Sequence, residues 1–199
     1  MRNLILFAVF LAFILQLESC KCLSKHPQRH FCNSNFVVHA KVISRSQRIV
    51  NNGLNNGLNI AYTVQILQDF KLDDRRFRQQ PPIRIIKSSS SFAACGSYFE
   101  LNKEYVISGS NIRGEWETNL CAWNDEVDLL TQYQRNALDL GVYKNSCNCQ
   151  VLECAPDVMN CPAAGRNECV IRSNFNCHYG INTCRRVNSM CMWTSPCNL

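Results

Sequence analysis

The placement of the cysteines constrains this chain most: all 14, in 199 residues, lie downstream of an apolar N-terminal run. Residues 1–19 read as a secretory signal peptide, with Arg2 as the positive start, Leu4 to Leu15 unbroken and apolar, and small Ser19 before the cut. That run is shorter than the roughly 18 residues a membrane span needs. Leu17-Glu18-Ser19-Cys20 also has the outline of a bacterial lipobox, but Glu18 and the density of cysteines count against it. Cleavage after Ser19 makes Cys20 the first mature residue. An even number of cysteines at this density in an exported chain is a disulfide framework. The expectation is therefore a secreted, soluble, cross-linked protein. Its net charge of +6, with no long Lys/Arg block, is too weak to argue for nucleic acid. With 46% apolar and 18% charged residues it is not a disordered tail either.

The middle of the chain alternates. Phe36, Val38, Ala40 and Val42 face one way, and Val37, His39, Lys41 and Ile43 the other, which predicts a strand over 36–44. Asn51-Asn52-Gly53 and Asn55-Asn56-Gly57 are turn chemistry, and alternation resumes over 58–67, predicting a hairpin. Pro81-Pro82 precedes a third strand at 83–87, Ser88 to Ser91 reads as a flexible connector, and further strands are expected at 104–108 and 116–121. From Asp125 to Leu140 the period changes. Val127, Leu130, Tyr133, Gln134, Ala137 and Leu138 share one helical face, with a cap expected at Asn124 or Asp125 and a stop at Gly141. Five short strands and a late helix suit a mainly β protein, an OB-type five-stranded β-barrel with a flanking helix. From residue 148 onward there are eight cysteines and only faint apolar periodicity. This predicts a small disulfide-rich C-terminal module, residues 148–199, held by bridges rather than a core.

Catalytic signals are sparse. No Cys-x-x-Cys pair occurs, which excludes the usual zinc-ribbon and thioredoxin spacings. His26 and His30 are four apart, but Pro27 lies between them and they read as exposed loop histidines; His39 and His178 read as structural. There is no Gly-x-Ser-x-Gly and no phosphate-binding loop. The carboxylate pair Asp125-Glu126 reads as a helix start. The sharper chemistry belongs to the mature terminus. Cleavage before Cys20 frees an α-amine beside that residue's own carbonyl, and the two atoms can close a five-membered chelate on a metal ion. An α-amine has a pKa near 8, so the neutral ligand form is accessible. The plainer alternative is a terminal cysteine that only anchors the chain end.

The mature start, Cys20-Lys21-Cys22 with His26-Pro27-Gln28 and Phe31-Cys32-Asn33-Ser34, resembles the tissue inhibitors of metalloproteinases. So do Val37-Val38-His39-Ala40-Lys41-Val42, Cys95-Gly96, Lys103-Glu104-Tyr105-Val106-Ile107-Ser108-Gly109, the Cys147-Asn148-Cys149 junction and the late Cys191-Met192-Trp193. The resemblance implies an OB-type netrin-like inhibitory domain over residues 20–147. It implies the bridges Cys20–Cys95, Cys22–Cys121, Cys32–Cys147, Cys149–Cys191, Cys154–Cys161 and Cys169–Cys184, leaving Cys177–Cys197. It further implies an inhibitor, not an enzyme, with no cofactor of its own. The Cys20 amine and carbonyl would chelate the catalytic zinc of a target protease, and Lys21 would enter its S1′ pocket. Cys22, Leu23 and Ser24 would follow the cleft, with Ala93, Ala94 and Cys95 across the zinc. The implied partners are secreted or membrane-anchored zinc metalloproteinases, with a proenzyme docking to the tail.

Two positions depart from the pattern. Lys21 stands where the family has Thr or Ser, and Leu23-Ser24 replaces Val-Pro. Burying an unpaired ammonium in an apolar S1′ pocket costs several kcal/mol. Lys21 therefore selects a target whose S1′ pocket holds a carboxylate or reaches water. Failing that, the chain is a non-inhibitory netrin-like module for matrix, receptor or proenzyme. The basic stretch Arg75-Arg76-Phe77-Arg78 is a candidate contact for sulfated matrix glycans, with a solvated loop as its alternative. A monomer is expected.

Overall fold

The computed structural model describes residues 20–51, 56–72, 82–154 and 161–197. The leader, the Arg75–Arg78 stretch and part of the expected Asn-Gly turn lie outside them. A short helix α1, Pro27–Asn33, leads into strand β1, Phe36–Asn51. Strands β2 (Asn56–Asp69), β3 (Ile83–Ser89), β4 (Glu104–Ile112), β5 (Glu115–Glu117) and β6 (Asn124–Glu126) complete one sheet. Its order is β1-β2-β3-β5-β4-β6, β1 also pairs with β4, and β3 and β5 run parallel. The hydrogen-bonded path β1-β2-β3-β5-β4 thus returns to β1.

Alternation in β1 works as predicted and is used on both faces. Phe36, Val38, Ala40 and Val42 enter a core with Tyr62, Val64, Ile86, Phe99 and Ile107. Phe36 stacks on Trp116 with ring centroids 4.2 Å apart. Val37, on the opposite face, enters a second core with Phe31, Val106, Trp123, Leu138 and Tyr143. That core is roofed by α1, α2 (Gln132–Asp139) and α3 (Val142–Asn145).

The expected helix over 125–140 is corrected to α2. Asn124–Glu126 is the strand β6, with Asn124 opposite Ile107 on β4, and Val127–Leu129 is a 3₁₀ turn. The helix starts where Thr131 accepts the Gln134 backbone N–H while the Gln134 side chain accepts the Thr131 N–H, a complete capping box. Val127, Leu130, Tyr133, Ala137 and Leu138 nevertheless all meet the second core, because a 3₁₀ turn and a helix share the three-residue spacing. Gly141, at φ 66°, turns the chain out of α2 as expected. The fifth strand stops at Glu117 rather than running to Cys121, and the third extends through Ser89 into the expected connector.

The tail forms two small sheets, β7 (Gln150–Glu153) with β8 (Glu168–Ile171) and β9 (Cys184–Val187) with β10 (Met190–Trp193). Helix α4, Phe175–Ile181, lies between β8 and β9 in sequence. The expectation that bridges replace a core here is corrected. Half-cystines 149, 169, 184 and 191 pack with Val151, Ile171, Phe175, Tyr179 and Trp193 into one cluster. The cystines are part of the core because a disulfide is itself apolar bulk.

Candidate functional site

Residues 20–25 carry no regular secondary structure and end at His26, the N-cap of α1. Lys21, Cys22, Leu23 and Ser24 are exposed, Leu23 at 81% of its surface. The backbone beneath them is pinned by cystines. Cys20 bonds Cys95, Cys22 bonds Cys121, and the Cys20 sulfur lies 3.8 Å from those of Cys22 and Cys121. The remaining bridges are Cys32–Cys147, Cys149–Cys191, Cys154–Cys161, Cys169–Cys184 and Cys177–Cys197. Among the described residues the clusters with metal-ligand spacing are Cys20/Cys95/Cys121 and Cys149/Cys184/Cys191, and every sulfur in them is in a disulfide. A disulfide sulfur is no thiolate ligand.

The partner loop is built to present Cys95. The Ala94 N–H donates to Ser91 O, Cys95 N–H to Phe92 O and Gly96 N–H to Ser91 O, closing a tight turn with Cys95 at φ 55°. Cys95 O in turn accepts the Leu120 N–H at 2.7 Å, tying the loop to the residue before Cys121. A Cβ on Gly96 would lie 2.1 Å from Ser89 O, so only glycine lets the loop pass β3. Ala93 and Ala94 stand exposed on this turn. Two apolar residues absent from the sequence expectation join them: Phe92, 71% exposed, and Leu120, 45% exposed. Their signal was available in the sequence, since each lies within three residues of a bridging cysteine.

The segment is held from behind by the tail. Ser24 O accepts the Tyr179 hydroxyl at 3.0 Å, and the His26 N–H donates to Glu153 Oε1 at 2.7 Å. Glu153 also pairs with Arg29. Gln28, fully buried, donates to Ser146 O, Cys149 O and Cys184 O and accepts the Cys184 N–H. His26 is not the exposed loop histidine expected. It is buried among Tyr143, Tyr179 and Trp193. Its Nδ1 accepts the Gln28 N–H, which leaves the proton on Nε2 to donate to His178 O at 2.9 Å. Burial pushes its pKa down to about 4, against the opposing hydrogen bond to His178 O. His30 is half-buried, and burial with nearby Lys25 and Arg29 pushes it to about 4 as well. His39 and His178 fit their structural reading: His39 meets Glu104 at 2.8 Å, and buried His178 meets Asn182. Burial lifts the Tyr179 hydroxyl to about 12, so it stays a donor at neutral pH.

This geometry defines a presenting scaffold: a short exposed segment stapled by two adjacent cystines and braced from the rear. Comparison with known proteins then places it. The family described as tissue inhibitor of metalloproteinase matches residues 18–198. Metalloproteinase inhibitor 3 of Gallus gallus is 32% identical over 185 residues, covering 88% of this chain and 82% of that one. Metalloproteinase inhibitor 2 of Homo sapiens is 27% identical over 188 residues, covering 88% and 81%. The chain belongs to the tissue inhibitor of metalloproteinase family, whose members are inhibitors and not enzymes.

Proposed function

We propose that the chain is exported, matures at Cys20 and inhibits zinc metalloendopeptidases with its own N-terminus. The Cys20 α-amine and carbonyl oxygen chelate the target's catalytic zinc and displace the water needed as nucleophile. Lys21 occupies S1′, while Cys22, Leu23 and Ser24 continue along the cleft. Ala93 and Ala94, with Phe92 beside them, lie across the zinc. The zinc belongs to the target, and the inhibitor needs no cofactor of its own. The observation that carries this reading is the exposed 21–24 segment, fixed by two cystines whose sulfurs lie 3.8 Å apart. A chelating terminus already rigid loses little entropy on binding.

The strand path that returns from β4 to β1, with β3 and β5 parallel, supports reading residues 20–147 as an OB-type netrin-like barrel. Residues 148–199 then form the second module, suited to docking a proenzyme. The protein acts as a secreted monomer on secreted or membrane-anchored metalloproteinases, and Arg75–Arg78 is a candidate contact for matrix glycans with a solvated loop as its alternative. Lys21 favours one rival, a netrin-like binding module without inhibitory action, because its ammonium is costly in an apolar S1′ pocket.

The test is inhibition of matrix, disintegrin-type and astacin-type zinc proteases by refolded mature protein, beside a version carrying one extra Ala before Cys20. Tight inhibition abolished by the extra residue is expected. Indifference to the extension, or no inhibition by correctly bridged protein, overturns the reading in favour of the binding module.

A further inference from the structure

We propose that Tyr179, on α4 of the tail, is a positioning residue that shapes the 20–24 segment. The proposal rests on the inhibitory reading above. Cys20 and Cys22 are fixed by their bridges, and His26 by its N–H to Glu153 and its ring to His178 O. Between Cys22 and His26 the chain is an irregular arch with Leu23 81% exposed and Ser24 exposed. Among the described residues, the hydrogen bond that reaches residues 23–25 is the 3.0 Å donation from the Tyr179 hydroxyl to Ser24 O. The related pattern carries Pro at position 24, whose ring fixes φ near −65°. Ser24 has no such restraint, and Tyr179 supplies one from outside. Its ring is set edge-on to His26 at 5.7 Å and to Phe175 at 5.9 Å, so the hydroxyl is aimed by a packed core. The arch is thus ordered before binding, and less entropy is lost when a protease closes on it. The corollary is that the tail contributes to the inhibitory edge of this chain through a contact made with no target present.

The test uses the full mature chain with Tyr179→Phe, Ser24→Pro and the double variant. Ki is measured against matrix, disintegrin-type and astacin-type catalytic domains, and backbone ¹⁵N order parameters at Leu23 and Lys25 are measured in the free protein. Loss of one neutral hydrogen bond predicts that Tyr179→Phe weakens inhibition about fivefold and lowers those order parameters. With Ser24→Pro in place, the same change costs less than about twofold, because proline already restrains the arch. A general structural loss would carry the full cost into both backgrounds. Equal cost in both backgrounds, no cost in either, or unchanged order parameters overturns the proposal. If the unmodified protein inhibits none of the three classes, the inhibitory reading fails. The order parameters then still decide whether Tyr179 positions the segment.

Discussion

Acidification should loosen the brace behind the exposed segment. His26 is the perturbation point. It is fully buried, and its pKa is pushed down to about 4 from an ordinary 6.5, with burial as the main cause. Between those values the unfolded chain binds a proton that the folded chain refuses, so stability rises with pH across this window and is lost as pH falls through it. At about 1.4 kcal/mol per pH unit, a gap of about 2.5 units corresponds to about 3 kcal/mol lost between pH 7 and pH 4. His30, also lowered to about 4, adds a loss of the same sign. The structure explains why protonation is resisted. Nδ1 already accepts the Gln28 N–H and caps α1, so a second proton there breaks the cap. Among the described residues no carboxylate faces the ring: Tyr143, Tyr179, Trp193, the His178 carbonyl and ring, the Asn182 backbone and His30 act on it, and Glu153 binds the backbone N–H instead. The assay is urea unfolding with disulfides intact from pH 7.5 to 4, beside NMR titration of the His26 ring. A His26 pKa near 6.5, or a midpoint independent of pH, refutes the argument.

Three further outcomes follow from the same contacts. Gln28→Met keeps the side-chain volume but orphans the buried Cys184 N–H and removes the bonds to Ser146 O, Cys149 O and Cys184 O. An unsatisfied buried donor and the lost amide hydrogen bonds should cost about 3 kcal/mol in denaturant unfolding, and a loss under about 1 kcal/mol would show that water replaces the side chain. Gly96→Ala places a Cβ against the β3 backbone at 2.1 Å, so the Cys95 loop must shift. A loss of about 2 kcal/mol in stability and about 30-fold in inhibition is expected, and a wild-type melting temperature with wild-type Ki would refute it. With residue 21 in S1′ as proposed, Lys21→Thr should tighten inhibition of apolar-pocket proteases about tenfold or more, while an unchanged Ki would show that residue 21 does not enter that pocket.

What could be read in the sequence was what local chemistry decides. Period-two alternation located β1 and β2, short apolar runs located β3 and β4, and the apolar residues of the helical face all reach a core. The start of α2 was misplaced because Val127, on a 3₁₀ turn, and Leu130, the extended residue that ends it, keep helical spacing. The Thr131-x-x-Gln134 capping box was the signal that would have corrected it. Cysteine spacing alone left the bridges open, and the resemblance supplied partners that match those in the structure. The missed features are long-range. His26 reads as a loop histidine because its burial depends on Tyr179 and Trp193, more than 150 residues away. Nothing near Ser24 in sequence announces a hydroxyl 155 positions on.

The division between the legible and the hidden also sorts the site by function. On the proposed reading, the chemistry that touches a target is local: a terminal amine, a carbonyl and a side chain at position 21. The geometry that makes those groups useful is remote. It comes from Cys95 on one loop, Cys121 on another, and Tyr179 and Glu153 on the tail. A change at position 21 should therefore alter which protease is inhibited and leave stability alone. A change at Gln28, Gly96 or Tyr179 should alter how well the edge is held against every protease it meets. A selectivity profile measured for both kinds of variant separates the two roles. Uniform weakening from Tyr179→Phe and redistributed preference from Lys21→Thr are the expected pair, and the reverse assignment would mean that the tail, not the terminus, chooses the target.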